Sequence, residues 1–266
     1  MAVFIRIMNQ RREQIVNILS ERERVTVNEL SEMLSVSSVT VRGDLNFLAE
    51  EGRIVRVHGG AALAKPSLRQ EMTFAARQRR HAAEKHALAK LAATLVRQTD
   101  SILLDSSTTA LAVGQAIKDA PNITNLTVIT TGLWTAVAIM DSPNIHTIMA
   151  GGSLASMSGS VNGPITREML AKYHINRAFI GALGITLEKG LSGNDPLENE
   201  LLQYIVERAG EVIAVVDGSK FGRTGLASFA RIDQLNCVVT DDSAPPEMIE
   251  TLREAGKEVL VAPVER

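Results

Sequence analysis

The chain has 266 residues, 45% of them hydrophobic, and a formal net charge of −2 at pH 7. It is long enough for one large or two moderate cores, its apolar stretches fall short of the ~20 residues of a membrane span, and its opening segment is too short for a secretory signal peptide. A single cysteine, Cys237, excludes an internal disulfide and favours the reducing cytoplasm; the sequence leaves open whether translation begins at Met1 or Met8.

Three helices and a hairpin are predicted in residues 1–62. The apolar side chains at helical spacing are Ile15, Ile18 and Leu19, then Leu30, Met33 and Leu34, then Val41, Leu45 and Leu48. Thr26 and Ser37 are suitable N-caps for the second and third helices, because their hydroxyls can accept a backbone N–H of the first turn. Gly52 suits the end of the third helix, and residues 53–57 predict a strand before the Gly59-Gly60 turn.

This order of elements is typical of a winged helix-turn-helix, whose third helix enters the major groove of DNA. The alternative is a three-helix module that is structural or docks to another protein. In the first case the polar face of the third helix reads the bases, and the favoured pairings are arginine with guanine and asparagine with adenine. The predicted DNA-binding residues are Ser37, Ser38, Thr40, Arg42, Asn46, Arg53, Arg56 and His58.

The small net charge conceals an uneven distribution along the chain. Residues 1–64 contain 8 Lys or Arg and 8 Asp or Glu, residues 65–90 contain 7 and 2, and residues 91–266 contain 13 and 20. Attraction for DNA must therefore come from locally placed arginines, together with the basic segment that follows. Since two copies of a weakly charged head double its phosphate contacts, we expect a homo-oligomer, a dimer or tetramer, that binds repeated half-sites.

Residues 11–62 resemble the DNA-binding domain of the DeoR family of bacterial regulators of sugar metabolism. The matching positions are Arg12, Ile15, Leu30, Leu34, Val36, Ser37, Thr40, Val41, Arg42, Asp44, Leu45, Leu48, Gly52, Arg56, Gly59 and Gly60. Gly43 is a departure, because relatives usually have a basic residue there. The resemblance implies an operator-binding head that lacks one phosphate or base contact.

A linker and a basic helix are predicted after the hairpin. Residues 61–75 contain Pro66 and no clear period, which is typical of a linker. One long helix is expected next, with a basic cluster of Arg77, Arg79, Arg80, His81, Lys85 and His86 and an inner stripe of Ala87, Leu88, Leu91, Ala92, Leu95 and Val96. The cluster is either a solvated face or lies near DNA or a ligand. We place the DNA-binding domain at residues 1–63, the linker at 64–80 and a second domain at 81–266.

From residue 101 onward, short apolar runs alternate with helical patterns. This alternation predicts a doubly wound, mostly parallel α/β domain, because strands that are apolar throughout are buried on both faces of a sheet. The predicted strands are 102–104, 126–130, 145–150, 177–181, 212–216, 237–240 and 258–261, and the predicted helices are 110–118, 133–140, 166–172, 197–208 and 246–255.

Polar residues follow several of these strands, at the edge where α/β domains bind their ligands. Asp105, Ser106, Ser107, Thr108 and Thr109 lead into a helix whose N-terminus could bind a phosphate, although one of the serines could simply be the N-cap. Lys220 could pair with the same phosphate. Further candidate ligand-binding residues at strand ends or an adjacent helix start are Thr131, Gly132, Gly152, Gly184 and Glu200, and for Glu198 we favour an interaction with the helix dipole.

The second half, from about residue 85 to 261, also resembles the DeoR family, in its effector domain. The resemblance implies a fold similar to ribose-5-phosphate isomerase and a repressor that a phosphorylated sugar releases from DNA, without a metal or cofactor. The competing hypothesis is a sugar-phosphate isomerase or deaminase with a DNA-binding head. We disfavour an enzyme, because no acid/base pair with a flanking histidine is visible and His146 and His174 lie at strand beginnings. Activation in place of repression stays open.

Overall fold

A computed structural model describes residues 11–264 except 13, 20, 21, 23, 51–53, 58 and 64–73. The chain divides into two compact units, with the boundary between Arg80 and His81. Within the described residues, no helix is both long and apolar enough to cross a lipid bilayer.

The first unit is a small helical domain with a three-stranded antiparallel sheet. Helix α1 covers residues 11–19 apart from 13. The elements that follow are β1 (Val25–Thr26), α2 (Val27–Leu34), α3 (Ser38–Glu50), β2 (Ile54–Val57), β3 (Gly60–Leu63) and α4 (Phe74–Arg79), and the strand order is β1-β3-β2. The predicted winged helix-turn-helix is confirmed, with β2 and β3 as the wing.

Capping and burial explain why these helices form where they do. Thr26 Oγ1 accepts a hydrogen bond from the backbone N of Glu29 at 3.3 Å, and Ser37 Oγ accepts one from the N of Thr40 at 3.2 Å. Both predicted caps are thus confirmed. The core contains Ile15, Leu19, Leu30, Val41, Leu45 and Leu48, all fully buried. The apolar stripe of α3 therefore packs inward, and its polar face is left outside.

The prediction of one long helix around residues 77–96 is wrong. Helix α4 ends at Arg79, and α5 (Ala82–Ala93) begins after His81, whose φ of +54° is left-handed and interrupts the helix. Leu95 and Val96 lie beyond the end of α5. The buried residues of α5 are Lys85, Leu88, Ala89, Ala92 and Ala93. This helix packs against α6 (Thr108–Asp119) as well as the sheet of the second unit, so it buries a wider face than one stripe.

The second unit is built on seven parallel strands. They are β4 (Ser101–Leu104), β5 (Leu126–Thr130), β6 (Ile145–Met149), β9 (Arg177–Ile180), β12 (Glu211–Val215), β14 (Cys237–Asp241) and β15 (Glu258–Ala262), in the order β15-β14-β12-β9-β4-β5-β6. All seven predicted strands are present. The chain adds strands on one side of β4 and then on the other, so the strand order reverses between β4 and β9.

Helices cover both faces of this sheet. They are α5, α6 (Thr108–Asp119), α7 (Leu133–Ile139), α8 (Pro164–Leu170), α9 (Pro196–Arg208) and α10 (Pro246–Glu254). Successive residues of one strand belong to different cores, since Leu103 packs in the cluster with α9 and α10 and Leu104 in the cluster with α5 and α6. The predicted doubly wound α/β architecture is confirmed.

Two small antiparallel sheets were not predicted. One pairs β7 (Ser153–Leu154) with β8 (Val161–Asn162), and the other contains β10 (Gly184–Thr186), β11 (Gly190–Gly193) and β13 (Ala227–Ala230). These strands are only two to four residues long, too short to show an alternation of apolar and polar residues. Strands β7 and β8 follow β6, β10 and β11 follow β9, and β13 follows β12.

Cys237 lies inside the sheet and is buried, as predicted. Burial and the nearby charges of Glu258 and Glu211 raise the pKa of its thiol to about 12. The thiol therefore stays protonated at neutral pH. This is typical of a cysteine that packs in a core and not of a reactive nucleophile.

Candidate functional site

The polar face of α3 is a flat, accessible surface on the first unit. Arg42, Gly43 and Asn46 are exposed, and Val39 at the start of the helix is 77% exposed. Ser37 is exposed, whereas Ser38 and Thr40 are half-buried. The hydroxyls of Ser37 and Thr40 lie 2.9 Å apart. Arg42 and Asn46, one helical turn apart, share this face, whereas Thr40, two residues before Arg42, points about 200° away from it.

The wing reaches this face through Arg56 of β2. Its Nη1 donates a hydrogen bond to Asn46 Oδ1 at 3.2 Å, and both side chains are exposed. Two of the predicted DNA-binding residues are therefore already in contact. The other two wing candidates, Arg53 and His58, lie outside the described residues.

A buried charge holds the recognition helix in place, and the sequence analysis did not anticipate it. Asp44 is 2% exposed and accepts hydrogen bonds from Arg11 Nε at 2.6 Å and Arg12 Nε at 3.0 Å. The Arg12 guanidinium also lies 3.6 Å from the ring centroid of Phe47. These contacts fix α1 against α3. The visible signal was an aspartate directly beside Leu45, on the side of α3 that must be buried.

Gly43 is an exposed residue of α3 beside Arg42. A Cβ built there meets no atom within 4 Å, so a side chain fits. Glycine inside a helix costs about 1 kcal/mol relative to alanine, and a lysine adds a charge that can reach a phosphate. We expect Gly43→Lys to bind DNA several-fold more tightly. The plot of log K against log salt, which slopes downward, should become steeper by about 1.

Titrations of a DNA duplex at several salt concentrations measure this slope by fluorescence anisotropy. Gly43→Ala is the matched control, because it stabilises the helix without adding charge and should leave the slope unchanged. An unchanged slope for Gly43→Lys would mean that this face of α3 does not approach the DNA backbone.

The second candidate site lies where the strand order reverses, at the carboxyl ends of β4 and β9. Asp105 Oδ1 accepts a hydrogen bond from the backbone N of Ser107 at 2.9 Å, and its Oδ2 accepts one from the N of Gly181 at 2.8 Å. A Cβ at Gly181 would lie 2.5 Å from Ser107 Oγ, so the two loops touch. Asp105 therefore joins the loop after β4 to the end of β9.

The loop after β4 carries the hydroxyl cluster predicted to bind a phosphate. Ser107 is the N-cap of α6, and its Oγ accepts a hydrogen bond from the N of Ala110 at 3.0 Å. The capping role thus applies to Ser107, whereas Ser106 Oγ donates to Glu198 Oε1 of α9. Thr108 and Thr109 are buried in the first turn of α6. The predicted cluster therefore has several structural roles, and only one is the cap.

Glu198, and not Glu200, is the acidic residue that reaches this loop. Glu200 Oε1 lies 2.5 Å from Arg167 Nη1 on the exposed side of α9, where the Arg167 guanidinium also lies 5.0 Å from the Tyr204 ring centroid. The helical period explains the difference, since residues two apart on a helix point about 200° apart. The structure thus places Glu200, which we expected to bind a ligand, away from Ser106.

We call the carboxyl edge of β5, β4, β9 and β12 the crevice, and the end of β5 lies on the β4 side of this edge. Gly132 N donates to Thr130 Oγ1 at 3.0 Å, and a Cβ at Gly132 would lie 3.0 Å from Ser106 Cα. Thr131 is buried beside it. Gly132 and Ser106 are therefore neighbours, as expected for a shared edge of a parallel sheet.

The other predicted glycines pack against backbone. A Cβ at Gly152 would lie 2.1 Å from Thr166 Oγ1 and 2.7 Å from the carbonyl oxygen of Asn162, and one at Gly184 would lie 2.2 Å from the carbonyl oxygen of Arg223. The missing side chain at each position is explained by this packing. Neither glycine is in contact with residues 106–109 in the described part of the chain.

Lys220 lies on the same edge but on a different strand. It ends the 3₁₀ turn Gly218–Lys220 that follows β12, and it is half-buried. Strand β9 separates β12 from β4, so these strand ends are two strand spacings, or about 10 Å, apart. Lys220 and the loop after β4 therefore flank the end of β9 from opposite sides.

Three aspartates after parallel strands repeat one arrangement that the sequence analysis missed. Asp105, Asp217 and Asp241 each accept a hydrogen bond through Oδ1 from the backbone N of the serine two residues later. Asp105 Oδ2 and Asp241 Oδ2 each accept another, at 2.8 Å, from the N of a glycine that follows the neighbouring strand, Gly181 after β9 and Gly218 after β12. The repeated Asp-X-Ser spacing at strand ends was the available signal.

Asp217 departs from this arrangement in its second oxygen. The residue is 1% exposed, and its Oδ2 has no hydrogen-bond partner among the described residues. A buried carboxylate oxygen without a donor is costly. The described residues therefore leave one buried acceptor at this edge of the sheet without a donor.

Neither His146 nor His174 lies at this edge of the sheet. His146 is in β6 and His174 precedes β9, both exposed at the amino ends of the strands, as predicted. Nor do three His, Cys, Asp or Glu side chains of the described residues converge as a metal site would require. The crevice is thus suited to hydrogen bonding and charge pairing.

Comparisons with known proteins cover nearly the whole chain. Residues 11–67 match the family model of a DeoR-like helix-turn-helix domain, and residues 80–242 match that of a DeoR C terminal sensor domain. The HTH-type transcriptional regulator GolR of Listeria innocua is 36% identical over 95% of this chain and 98% of its own length. The glycerol-3-phosphate regulon repressor of Escherichia coli is 32% identical over 91% and 94%. The solved ribose 5-phosphate isomerase A of Methanocaldococcus jannaschii aligns with a TM-score of 0.41 and 19% identity, over 53% and 55% of the two chains.

Proposed function

Because this chain belongs to the DeoR family of transcriptional regulators, we propose that it represses a carbohydrate-utilisation operon and leaves its operator when a phosphorylated sugar binds the second unit. It acts in the cytoplasm as a homo-oligomer, with a DNA-binding domain at residues 1–63, a linker at 64–80 and an effector domain at 81–266. The observation that carries the proposal is the pairing of an exposed recognition helix with a polar crevice at the strand-order reversal of a parallel sheet.

The DNA-binding half of the proposal rests on the exposed polar face of α3 and the wing. Arg42 and Asn46 face outward one helical turn apart, so both side chains can reach base edges from the same groove. Ser37, Ser38 and Thr40, at the start of the helix, are suited to phosphates, because side-chain hydroxyls and helix N-termini commonly bind them. Arg53, Arg56 and His58 would follow the backbone from the wing.

The effector half rests on the crevice between β4 and β12. The phosphate binds at the N-terminus of α6, beside Ser106, Thr108, Thr109 and Gly132, where the helix dipole favours negative charge. Lys220 supplies a positive charge from the other side of β9. Glu198 replaces Glu200 in this proposal, since only Glu198 reaches Ser106, and it accepts a hydrogen bond from a sugar hydroxyl.

Two further observations support this ligand class. The sensor-domain match spans the crevice residues, and one relative is named as the repressor of a glycerol 3-phosphate regulon. A sugar phosphate offers an anion for the α6 N-terminus and hydroxyl donors for the Glu198 carboxylate, so one molecule can satisfy both kinds of group. If the sugar phosphate binds the DNA-free form more tightly than the DNA-bound form by ~1–3 kcal/mol, operator occupancy changes severalfold or more.

A titration with sugar phosphates tests the proposal. We expect the full chain to bind the duplex upstream of its own operon and to be released by one or a few phosphorylated sugars, but not by the same sugars without phosphate. Fluorescence anisotropy of the labelled duplex measures both steps. A coupled isomerase assay on ribose 5-phosphate should show no turnover. Release by no phosphate tested, or turnover without DNA binding, would contradict the proposal.

A further inference from the structure

The contact between Asn46 and Arg56 fixes which way the Asn46 amide points. Arg56 Nη1 lies 3.2 Å from Asn46 Oδ1, across the junction between α3 and the wing. A guanidinium has donors only, so the atom of Asn46 that faces it must be the carbonyl oxygen. The amide assignment is therefore determined by chemistry and not by an arbitrary choice between two similar orientations. The Nδ2 group must point elsewhere, because it lies on the other branch of the planar amide.

The consequence is a reading surface made of hydrogen-bond donors. Asn46 offers the two hydrogens of Nδ2, and Arg56 offers its remaining N–H groups. We propose that Asn46 and Arg56 contact DNA as one unit and select guanine, not adenine, at the base pair that faces Asn46. The inference rests on the proposed operator binding and names the base that this pair selects.

The base edges of the major groove explain this preference. Guanine presents two acceptors, N7 and O6, whereas adenine presents one acceptor, N7, beside the N6 donor. An asparagine reads adenine by giving Nδ2–H to N7 and accepting N6–H at Oδ1. In this protein one lone pair of Oδ1 accepts from Arg56, and the other N–H groups of that guanidinium stand beside Oδ1, where they repel the N6 donor of adenine and disfavour the second half of that pairing. The asparagine-to-adenine pairing expected from the sequence is thereby replaced.

The pairing also makes the wing a part of sequence recognition. Wings commonly lie along the phosphate backbone, where a lost contact weakens binding to every sequence alike. Here Arg56 holds the amide of a helix residue that can reach base edges. Removing Arg56 therefore frees Asn46 Oδ1, so that the amide can pair with adenine again. The loss of Arg56 should change sequence preference as well as affinity.

Selection of duplexes from a random library by the full-length protein tests the proposal. The wild type should select guanine at one position of each half-site. Asn46→Ala should relax that position, and Arg56→Ala should admit adenine there. Asn46→Asp is the sharpest variant, because its carboxylate still accepts from Arg56 but presents an acceptor to the groove. Its preference should move to cytosine, whose N4 group is a donor. Melting curves should be unchanged, since both side chains are exposed.

Modified bases then identify the contact directly. Replacing the selected guanine by 7-deazaguanine should weaken wild-type binding at least about fivefold and leave Asn46→Ala binding unchanged. Adenine at the selected position, or an unchanged preference in Arg56→Ala, would overturn the proposal. The proposal would also be overturned if Asn46→Ala kept the sequence preference of the wild type and only lowered the salt dependence of binding. That result would mean that Asn46 contacts a phosphate and not a base. A wild type that selects no sequence at all would instead contradict the proposed operator binding itself.

Discussion

Asp44→Ala should abolish operator binding, although Asp44 does not lie on the exposed face of α3. Its carboxylate joins two arginines of α1 to the recognition helix and is almost completely buried. Removing one partner of a buried ion pair typically costs about 3–5 kcal/mol, because the remaining charges are left unpaired. A unit as small as this one has little stability to lose. We expect α3 to lose its position and DNA affinity to fall at least about 100-fold.

Fluorescence anisotropy with the operator duplex measures the affinity, and calorimetry measures the melting temperature of each unit. The first unit should melt well below its wild-type temperature, and the second unit should melt at its wild-type temperature. Asp233→Ala is the matched control, since it removes an ion pair with Arg231 at 2.9 Å that is exposed on both sides. Asp44→Asn should fall between wild type and Asp44→Ala, because the amide oxygen can still accept from one arginine. Wild-type melting and affinity in Asp44→Ala would show that this cluster does not position α3.

The contrast between Asp44 and the apolar stripe of α3 shows what sequence reasoning can reach. Val41, Leu45 and Leu48 are spaced so that one helix must bury them together, and this burial follows from local spacing alone. The partners of Asp44 are 32 and 33 residues away, and no local pattern joins them. The stripe was therefore predictable, and the ion pairs were not.

The same distinction applies to the second unit. Short runs that are apolar throughout predicted the seven parallel strands, because burial on both faces leaves a clear signature in the sequence. The strand order came only with the structure, since parallel neighbours such as β4 and β9 are far apart in the chain. The placement of Glu198 against Ser106 depends on that order. The sequence alone could therefore not show that Glu198, and not Glu200, reaches Ser106, because both residues are acidic and they lie only two positions apart.

The break at His81 has a different cause. Residues 77–93 contain neither glycine nor proline, so their propensities favour one continuous helix. The left-handed backbone at His81 instead coincides with the boundary between the two compact units. Tertiary organisation overrides the local helix propensity at this position. Since the boundary between the units depends on two separate cores, it cannot be predicted from a short stretch of sequence.

Gly181→Ala should weaken the binding of the effector while leaving the affinity for the operator unchanged. The added Cβ would lie 2.5 Å from Ser107 Oγ and 2.7 Å from Ser107 Cβ, distances at which the loop after β4 must move. The hydrogen bond from Gly181 N to Asp105 Oδ2 holds that loop and would be strained as well. Since the proposed phosphate site is the first turn of α6, directly after Ser107, we expect effector affinity to fall at least about tenfold.

Operator release by the effector, followed by anisotropy, gives the response, and titration without effector gives the DNA affinity. Gly151→Ala is the matched control in the same unit, because a Cβ there meets no atom within 4 Å. Its response should equal that of the wild type. The expected pattern for Gly181→Ala is unchanged operator affinity with an effector curve shifted to higher concentration. Because the variant alters only the loop after β4, a wild-type effector curve would exclude that loop from the binding site and move the phosphate to another strand end.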